Sequence, residues 1–207
     1  MFKDQKIKNF LDTLASKSPT PGGGSAAALT AAMSSALVSM VGNLTLGKEE
    51  YSAVEEDIKK ILGKSEKLRD EFENLIEEDI QVFNQFMAVL KLPKDTSLKK
   101  EYRKKKIQEA LFEAANVPLM VAGKCNDLLD ICLEIARLGT KNVISDAGVG
   151  GVFARAAFDS ALLNVKVNLG MMKDEKKRND IISEMNTLNG LIDAKKEKIL
   201  QIVSEKI

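Results

Sequence analysis

One aspartate, Asp79, lies among apolar residues at helical spacing, where a carboxylate is unusual. Its helical neighbours at i−4, i−3, i+3 and i+4 are all apolar, namely Leu75, Ile76, Val82 and Phe83. Burying a carboxylate costs free energy and raises its pKa towards the range in which it can exchange protons. The pattern therefore indicates either a catalytic acid–base or a structural aspartate that caps a helix or pairs with a lysine.

A second candidate is the turn Pro19-Thr20-Pro21-Gly22-Gly23-Gly24-Ser25, which precedes an alanine-rich stretch from Ala26 to Val41. Ser25 is a good N-cap, and a glycine-rich turn at a helix start leaves backbone N–H groups free for an oxyanion or a carbonyl. The turn lacks the lysine of a phosphate-binding P-loop. It predicts a buried central helix with a ligand-facing start, and it does not identify the ligand.

Polar residues also recur along one face of the predicted fifth helix. Asp146, Asn164 and Asn168 share this face with small and apolar residues, and Asn142 lies just before it. Amide groups there can recognise the donor and acceptor edge of a heterocycle. They can equally form hydrogen bonds between helices in the core.

Two further groups of polar residues have both a structural and a functional interpretation. Lys48 and Tyr51 follow Gly47, where a helix is expected to end; the lysine can complement the helix dipole, or the pair can lie at a pocket rim. The basic stretch from Lys99 to Lys106 is typical of a solvated helix face, and it could also attract an anionic tail.

Composition excludes several classes of protein. The chain has 207 residues, no histidine, 31 basic and 30 acidic residues, and 5% aromatic residues. This balance argues against a nucleic-acid-binding protein, and the sequence offers no Cys/His metal spacing. Cys125 and Cys132, seven residues apart on a predicted helix, are too distant to pair. We expect a cytoplasmic protein with no membrane span.

The periodicity of apolar residues predicts helices throughout and no strand. We expect an all-α, antiparallel bundle of about six helices forming a single domain, residues 1–207. The predicted helices cover residues 2–16, 25–46, 49–92, 97–138, 145–172 and 179–207, with Gly63 and Pro118 as points of weakness. The third and fourth helices approach 40 residues each, which predicts that they project and pair with a second subunit.

Several of these segments resemble the formiminotetrahydrofolate cyclodeaminase / methenyltetrahydrofolate cyclohydrolase family, including the cyclodeaminase half of formiminotransferase–cyclodeaminase. The resemblance spans nearly the whole chain, and the proline/glycine turn is its most specific piece. It is carried by the motifs Phe10-Leu11-Asp12-x-Leu14-Ala15-Ser16, Pro19–Ser25, Asn43-Leu44-Thr45-x-Gly47-Lys48 with Tyr51, Glu78-Asp79 with Phe83, Val117-Pro118, Asn142-Val143-x-Ser145-Asp146, Asn164-Val165 and Asn168-Leu169. Residues 93–110 match no motif of the family.

The resemblance implies a dimeric, all-helical enzyme that binds a reduced folate and needs no metal or redox cofactor. Family members convert 5-formiminotetrahydrofolate to 5,10-methenyltetrahydrofolate with loss of ammonia, or hydrolyse methenyltetrahydrofolate to 10-formyltetrahydrofolate. We expect cyclodeamination first and hydrolysis as the alternative, with Asp79 as the catalytic acid–base. The expected substrate-binding residues are Gly22, Gly23, Gly24, Ser25, Lys48, Tyr51, Phe83, Asn142, Asp146, Asn164 and Asn168.

Expected partners are a folate with either one glutamate or several, a second copy of the chain and a formiminotransferase. Two rival hypotheses remain open at this stage. The chain could be a non-catalytic, folate-binding dimerisation module, or its buried polar groups could be purely architectural.

Overall fold

The computed structural model describes residues 5–207, and all regular structure in that range is helical. Six α-helices follow one another: α1 (Ile7–Leu14), α2 (Gly23–Thr45), α3 (Glu55–Leu90), α4 (Ser97–Leu138), α5 (Ile144–Leu169) and α6 (Glu175–Lys206). Short 3₁₀ helices at Glu49–Val54 and Lys141–Val143 precede α3 and α5. The all-α prediction with about six helices is confirmed, while the predicted start of the first helix near Phe2 lies outside the described residues.

Two predicted N-caps are wrong. Helix α2 begins at Gly23 with Gly22 as its N-cap, so Ser25 lies inside the first turn and caps nothing. Helix α5 begins after Val143 rather than at Ser145, and it also lacks a side-chain cap. In both cases the preceding turn starts the helix without help from a hydroxyl group.

Two further boundaries are also wrong: α3 begins at Glu55 rather than at residue 49, because Glu49–Val54 forms a 3₁₀ helix, and α5 ends at Leu169 rather than at Met172. The Thr96 side chain accepts a hydrogen bond from the Lys99 amide, as expected of an N-cap. Helix α6 begins earlier than predicted because Asp174 accepts a hydrogen bond from the Lys177 amide. Helix α4 continues through Pro118 without a break.

Helix α2 is the centre of the bundle, and α3 and α5 run antiparallel to it on either side. On α3, Asp79 lies beside Gly24, and the Ser65 and Ser39 hydroxyls are 2.8 Å apart. On α5, the Gly150 carbonyl accepts a hydrogen bond of 2.7 Å from the Ser34 hydroxyl. Small residues on α2 allow this close approach, and the start of α2 therefore meets the ends of α3 and α5.

Helices α3 and α4 form a long hairpin that passes the start of α2. From Asp79, α3 continues to Leu90, about 16 Å at 1.5 Å per residue. The Arg103 guanidinium on α4 donates a hydrogen bond of 2.9 Å to the Leu90 carbonyl and joins the two arms of the hairpin. The base of this hairpin forms part of the site described below.

Helix α2 is also long and apolar enough to cross a membrane, and no other described helix is. A core helix passes the same test, and 61% of its most apolar segment is buried inside the protein. Its packing between α3 and α5 accounts for its composition.

Candidate functional site

A cavity of about 310 Å³ lies at the start of α2, between the base of the α3–α4 hairpin and the end of α5. Seven residues predicted from the sequence lie close together here: Gly22, Gly23, Gly24, Asp79, Phe83, Asn164 and Asn168. Because these residues come from the loop before α2, from α3 and from α5, the antiparallel arrangement of the three helices creates the cavity.

Among residues 5–207, Asp79 is the one titratable side chain that lines this cavity. The Ser25 hydroxyl donates a hydrogen bond of 2.7 Å to its Oδ2 atom, and the Ser25 backbone also bonds to the carboxylate. Burial raises the pKa of Asp79 above its usual range, and the two bonds from Ser25 oppose that rise. The carboxyl group is therefore held in position by Ser25, and its pKa is raised towards the range in which it can exchange protons with a ligand.

Gly24 is required by the close approach of this carboxylate to the α2 backbone. A Cβ atom built on Gly24 would lie 2.0 Å from Oδ1 of Asp79, whereas one on Gly22 would have 3.9 Å of space. On Gly23 it would lie 3.3 Å from the Asn164 amide nitrogen. The space available for a side chain therefore decreases from Gly22 to Gly24, and only a glycine at position 24 leaves room for the Asp79 carboxylate.

The two asparagines of α5 hold their amide groups by hydrogen bonds to backbone. Asn164 donates to the Ser160 carbonyl at 2.9 Å, and Asn168 donates to the carbonyls of Ala114 and Asn164 at 2.8 and 3.1 Å. The bond to Ala114 joins α5 to α4, so Asn168 has the interhelical role that was one alternative. With the amide nitrogens engaged, the carbonyl oxygens are the groups suited to accept hydrogen bonds from a ligand.

The rest of the cavity wall was not among the predicted site residues, although Pro19 and Thr20 belong to the predicted ligand-facing turn. The wall also includes Pro19, Thr20, Val82, Phe86, Ala114, Pro118, Val167 and Met171. Some of these follow directly from helical spacing, since Phe86 is seven residues after Asp79 and Met171 is seven after Asn164. Ala114 and Pro118 come from α4, whose contribution depends on tertiary packing alone.

The remaining predicted residues, Lys48, Tyr51, Asn142 and Asp146, lie at the opposite end of the bundle and are called the far cluster below. Along α5, Asp146 is about 27 Å from Asn164. The Lys48 ammonium donates a hydrogen bond of 3.0 Å to the hydroxyl of Thr140, and the Lys141 amide donates one of 3.2 Å to the Tyr51 hydroxyl. Within one chain, the far cluster does not share the cavity with Asp79.

Two other kinds of reactive group, metal-ligating clusters and thiols, can be judged in the described part of the chain. Across residues 5–207, no three His, Cys, Asp or Glu side chains come together as a metal site. Cys125 and Cys132 are unpaired and buried, and burial raises the pKa of the Cys132 thiol to about 12. A thiol with that pKa is a poor nucleophile at neutral pH.

Comparisons with known proteins agree with this arrangement. A family model described as formiminotransferase-cyclodeaminase matches residues 6–187. A methenyltetrahydrofolate cyclohydrolase from Methylorubrum extorquens is 44% identical over 207 residues, which is all of both chains. The solved structure of a formiminotetrahydrofolate cyclodeaminase from Thermotoga maritima matches with a TM-score of 0.90 and 28% identity, covering 99% of this chain and 98% of the other.

The formimidoyltransferase-cyclodeaminase of Rattus norvegicus is 30% identical over 172 residues, which are 83% of this chain and 32% of the rat protein. The chain therefore spans about a third of that longer relative. Fold and site together define an all-helical enzyme class with one carboxylate in a cavity at a helix start. The chain belongs to the formiminotransferase-cyclodeaminase family, and the family predicted from the sequence is confirmed.

Proposed function

We propose that this protein hydrolyses 5,10-methenyltetrahydrofolate to 10-formyltetrahydrofolate, with Asp79 as the acid–base. The observation that carries the proposal is the single fixed carboxylate of raised pKa in the cavity. The choice of reaction is supported by the full-length similarity to a methenyltetrahydrofolate cyclohydrolase. This similarity favours hydrolysis over cyclodeamination, which is the first expectation from the sequence.

The reaction needs one group that accepts and returns a proton. A water oxygen adds to the one-carbon bridge between N5 and N10 of the folate, and ionised Asp79 accepts the water proton. Asp79 then returns this proton to N5 as the bond between N5 and the bridge carbon breaks. The remaining hydroxyl loses its proton to solvent and becomes the formyl oxygen on N10. A positioned acid–base of this kind contributes about 10²–10⁴-fold to the rate.

The substrate is also a cation, and this favours the same site. Methenyltetrahydrofolate carries a positive charge delocalised over N5, the bridge carbon and N10. In the described part of the chain no lysine or arginine lines the cavity, and a carboxylate on its wall attracts the cation. Phe83 and Phe86 offer apolar surface to the pterin, while the oxygens of Asn164 and Asn168 accept hydrogen bonds from its N–H groups.

Cyclodeamination is the second candidate, and the match to the cyclodeaminase from Thermotoga maritima favours it. In that reaction N10 attacks the carbon of the formimino group, whose nitrogen is protonated, and the N–H proton of N10 passes to Asp79. Asp79 gives the proton to the amino group, which leaves as ammonia. Both reactions pass through a carbon bonded to N5, N10 and one further heteroatom, so one carboxylate can serve either.

Both reactions are additions and eliminations with proton transfer, so we propose that no resident metal or redox cofactor takes part. Turnover that is insensitive to a chelator would support this. A cytoplasmic location and association with a formiminotransferase are further proposals.

The absorbance of the methenyl chromophore distinguishes the candidate functions. Purified protein should accelerate the loss of this chromophore above the uncatalysed rate. Formation of the chromophore from 5-formiminotetrahydrofolate, with ammonia released, would establish the deaminase instead. If neither rate changes while a folate still raises the melting temperature, the non-catalytic binding module replaces both proposals.

A further inference from the structure

The turn between α5 and α6, residues 170–174, is held against α4 by the side-chain amide of Gln108. The Nε2 atom of Gln108 donates a hydrogen bond of 3.3 Å to the Met171 carbonyl, and its Oε1 atom accepts one of 2.6 Å from the Lys173 amide. One side chain therefore pairs with the turn through both a donor and an acceptor, as a backbone peptide group would. The family motifs did not predict this contact, since Gln108 lies in residues 93–110, outside all of them.

Two further contacts flank this one and join the same stretches of chain. Before the turn, Asn168 donates a hydrogen bond of 2.8 Å to the Ala114 carbonyl. After the turn, the Lys177 ammonium lies 4.3 Å from the centre of the Phe112 ring, which is a cation–π distance. Gln108 lies between these two contacts, and it bonds to the turn itself.

The turn places the Met171 side chain at the mouth of the cavity that contains Asp79. Met171 lines this cavity and is 46% exposed, whereas the next residue, Met172, is 7% exposed and packs in the core. The two methionines therefore point to different places, one to the core and one to the site. A flexible thioether at a cavity mouth suits an aromatic ring of a ligand, because sulfur makes favourable contacts with such rings.

Phe86 forms the other side of the mouth. It lines the cavity and is seven residues after Asp79, which is about 10 Å along α3. Phe86 and Met171 are called the rim below. The cavity volume of about 310 Å³ is at the lower limit for ligand pockets. A folate whose pterin fills this volume leaves the aryl ring, which is attached through N10, at the rim.

We propose that Met171 packs on the aryl ring of the bound folate and that Gln108 is the positioning residue that holds Met171 there. This inference rests on the proposed function, because it takes the pterin to lie beside Asp79. Gln108 is outside the cavity lining and touches no reacting atom. Its loss should therefore weaken the binding of the folate, while Asp79 continues to set the rate of the chemical step.

Gln108→Met tests the role of the side-chain amide, since methionine is similar in size and can replace neither hydrogen bond. KM for methenyltetrahydrofolate should rise about 5–10-fold with kcat retained, because the lost contact stabilises the bound substrate and the transition state equally. Lys195→Met is the matched control, because it removes the bonds from Lys195 to Asn126 and Asp130 that join α6 to α4 away from the cavity. Both variants should melt at a lower temperature than the wild type, and the control should keep the wild-type KM. Equal KM values for the two variants would overturn the proposal.

A double-mutant cycle tests whether Gln108 acts through Met171. Met171→Ala removes the side chain that meets the aryl ring, so it should raise KM by itself. In that background Gln108→Met has no side chain left to misplace, and KM should rise no further. Fully additive effects on KM would overturn the proposal, because Gln108 would then act without Met171.

Two measurements without turnover separate this inference from the proposed function. The Lys173 amide hydrogen should exchange faster in Gln108→Met than in the wild type, because its acceptor is lost. The dissociation constant of 5-formyltetrahydrofolate, a binding probe that keeps the aryl ring, should rise by the same factor as KM. Unchanged exchange, or an unchanged dissociation constant, would overturn the proposal.

The same probe decides the case in which the enzyme proves inactive. If the wild type binds 5-formyltetrahydrofolate but turns over no folate, the proposed function fails, and the weaker binding expected of Gln108→Met still supports or overturns the role of Gln108. A wild type that binds no folate overturns both proposals.

Discussion

The closest contact in the site, between Gly24 and Asp79, gives a graded test of the catalytic geometry. A Cβ atom on Gly24 would lie 2.0 Å from Oδ1 and 2.6 Å from Cγ of Asp79, and real Cβ contacts under 3.0 Å essentially do not occur. In Gly24→Ala the carboxylate must therefore move by about 1 Å or more. Misplacement of a catalytic group by about 1 Å costs about 100-fold in rate.

Two neighbouring glycines provide the matched controls. None of the three has a positive φ, so alanine is compatible with the backbone at each position. Gly22→Ala should lower kcat/KM less than Gly24→Ala does, because the nearest atom to its added Cβ is the Pro19 carbonyl oxygen at 3.9 Å and Asp79 is not displaced. Gly23→Ala should fall between the two, since its Cβ would press on Asn164 at 3.3 Å.

The assay follows methenyltetrahydrofolate absorbance at several substrate concentrations, together with thermal unfolding of each variant. Gly24→Ala should lower the free energy of unfolding by about 1–3 kcal/mol through overpacking and still fold. The reasoning is refuted if folded Gly24→Ala turns over folate as fast as Gly22→Ala. The carboxylate position would then not matter.

Three further predictions follow from the same contacts. Because the folded-state pKa of Asp79 is raised, its contribution to stability is present below the ordinary pKa of 3.8 and is lost as pH rises through the folded-state pKa. Asp79→Asn should therefore melt at a higher temperature than the wild type at pH 8 and lose that advantage below about pH 4. Equal melting temperatures at pH 8 would contradict this. Ser25→Ala removes the hydroxyl hydrogen bond that favours the ionised carboxylate and leaves the backbone bond in place, so the acidic limb of the pH–rate profile should move to higher pH, with an unmoved limb as the contrary result. Asn168→Ala loses the interhelical bond to Ala114 and should lower the free energy of unfolding by about 1–3 kcal/mol in denaturant titration, whereas no change would show that this bond is dispensable.

The fold was largely predictable because apolar periodicity is a local property. Helices α3, α4 and α6 carry long stripes at helical spacing, and polar or glycine residues mark where they end. The predicted N-caps, Ser25 and Ser145, were wrong because several neighbouring residues in each turn are compatible with the start of a helix. Only the packing of the preceding turn decides between them.

The site was predictable where one residue contradicts its surroundings. Asp79 stands out because its helical neighbours are apolar; in the structure it is half-buried, and this burial raises its pKa. Helical spacing says which residues share a face, but it does not say how far apart they lie along the axis. Asp146 and Asn168 were therefore grouped although they lie at opposite ends of α5.

The most direct test of the central claim compares the wild type with Asp79→Asn in the methenyltetrahydrofolate absorbance assay, with folate-induced thermal stabilisation measured on the same samples. We expect kcat to fall by about 10²–10⁴-fold while stabilisation by the folate persists. A folded Asp79→Asn variant with wild-type kcat would contradict the account, and Asp79 would then be a structural carboxylate.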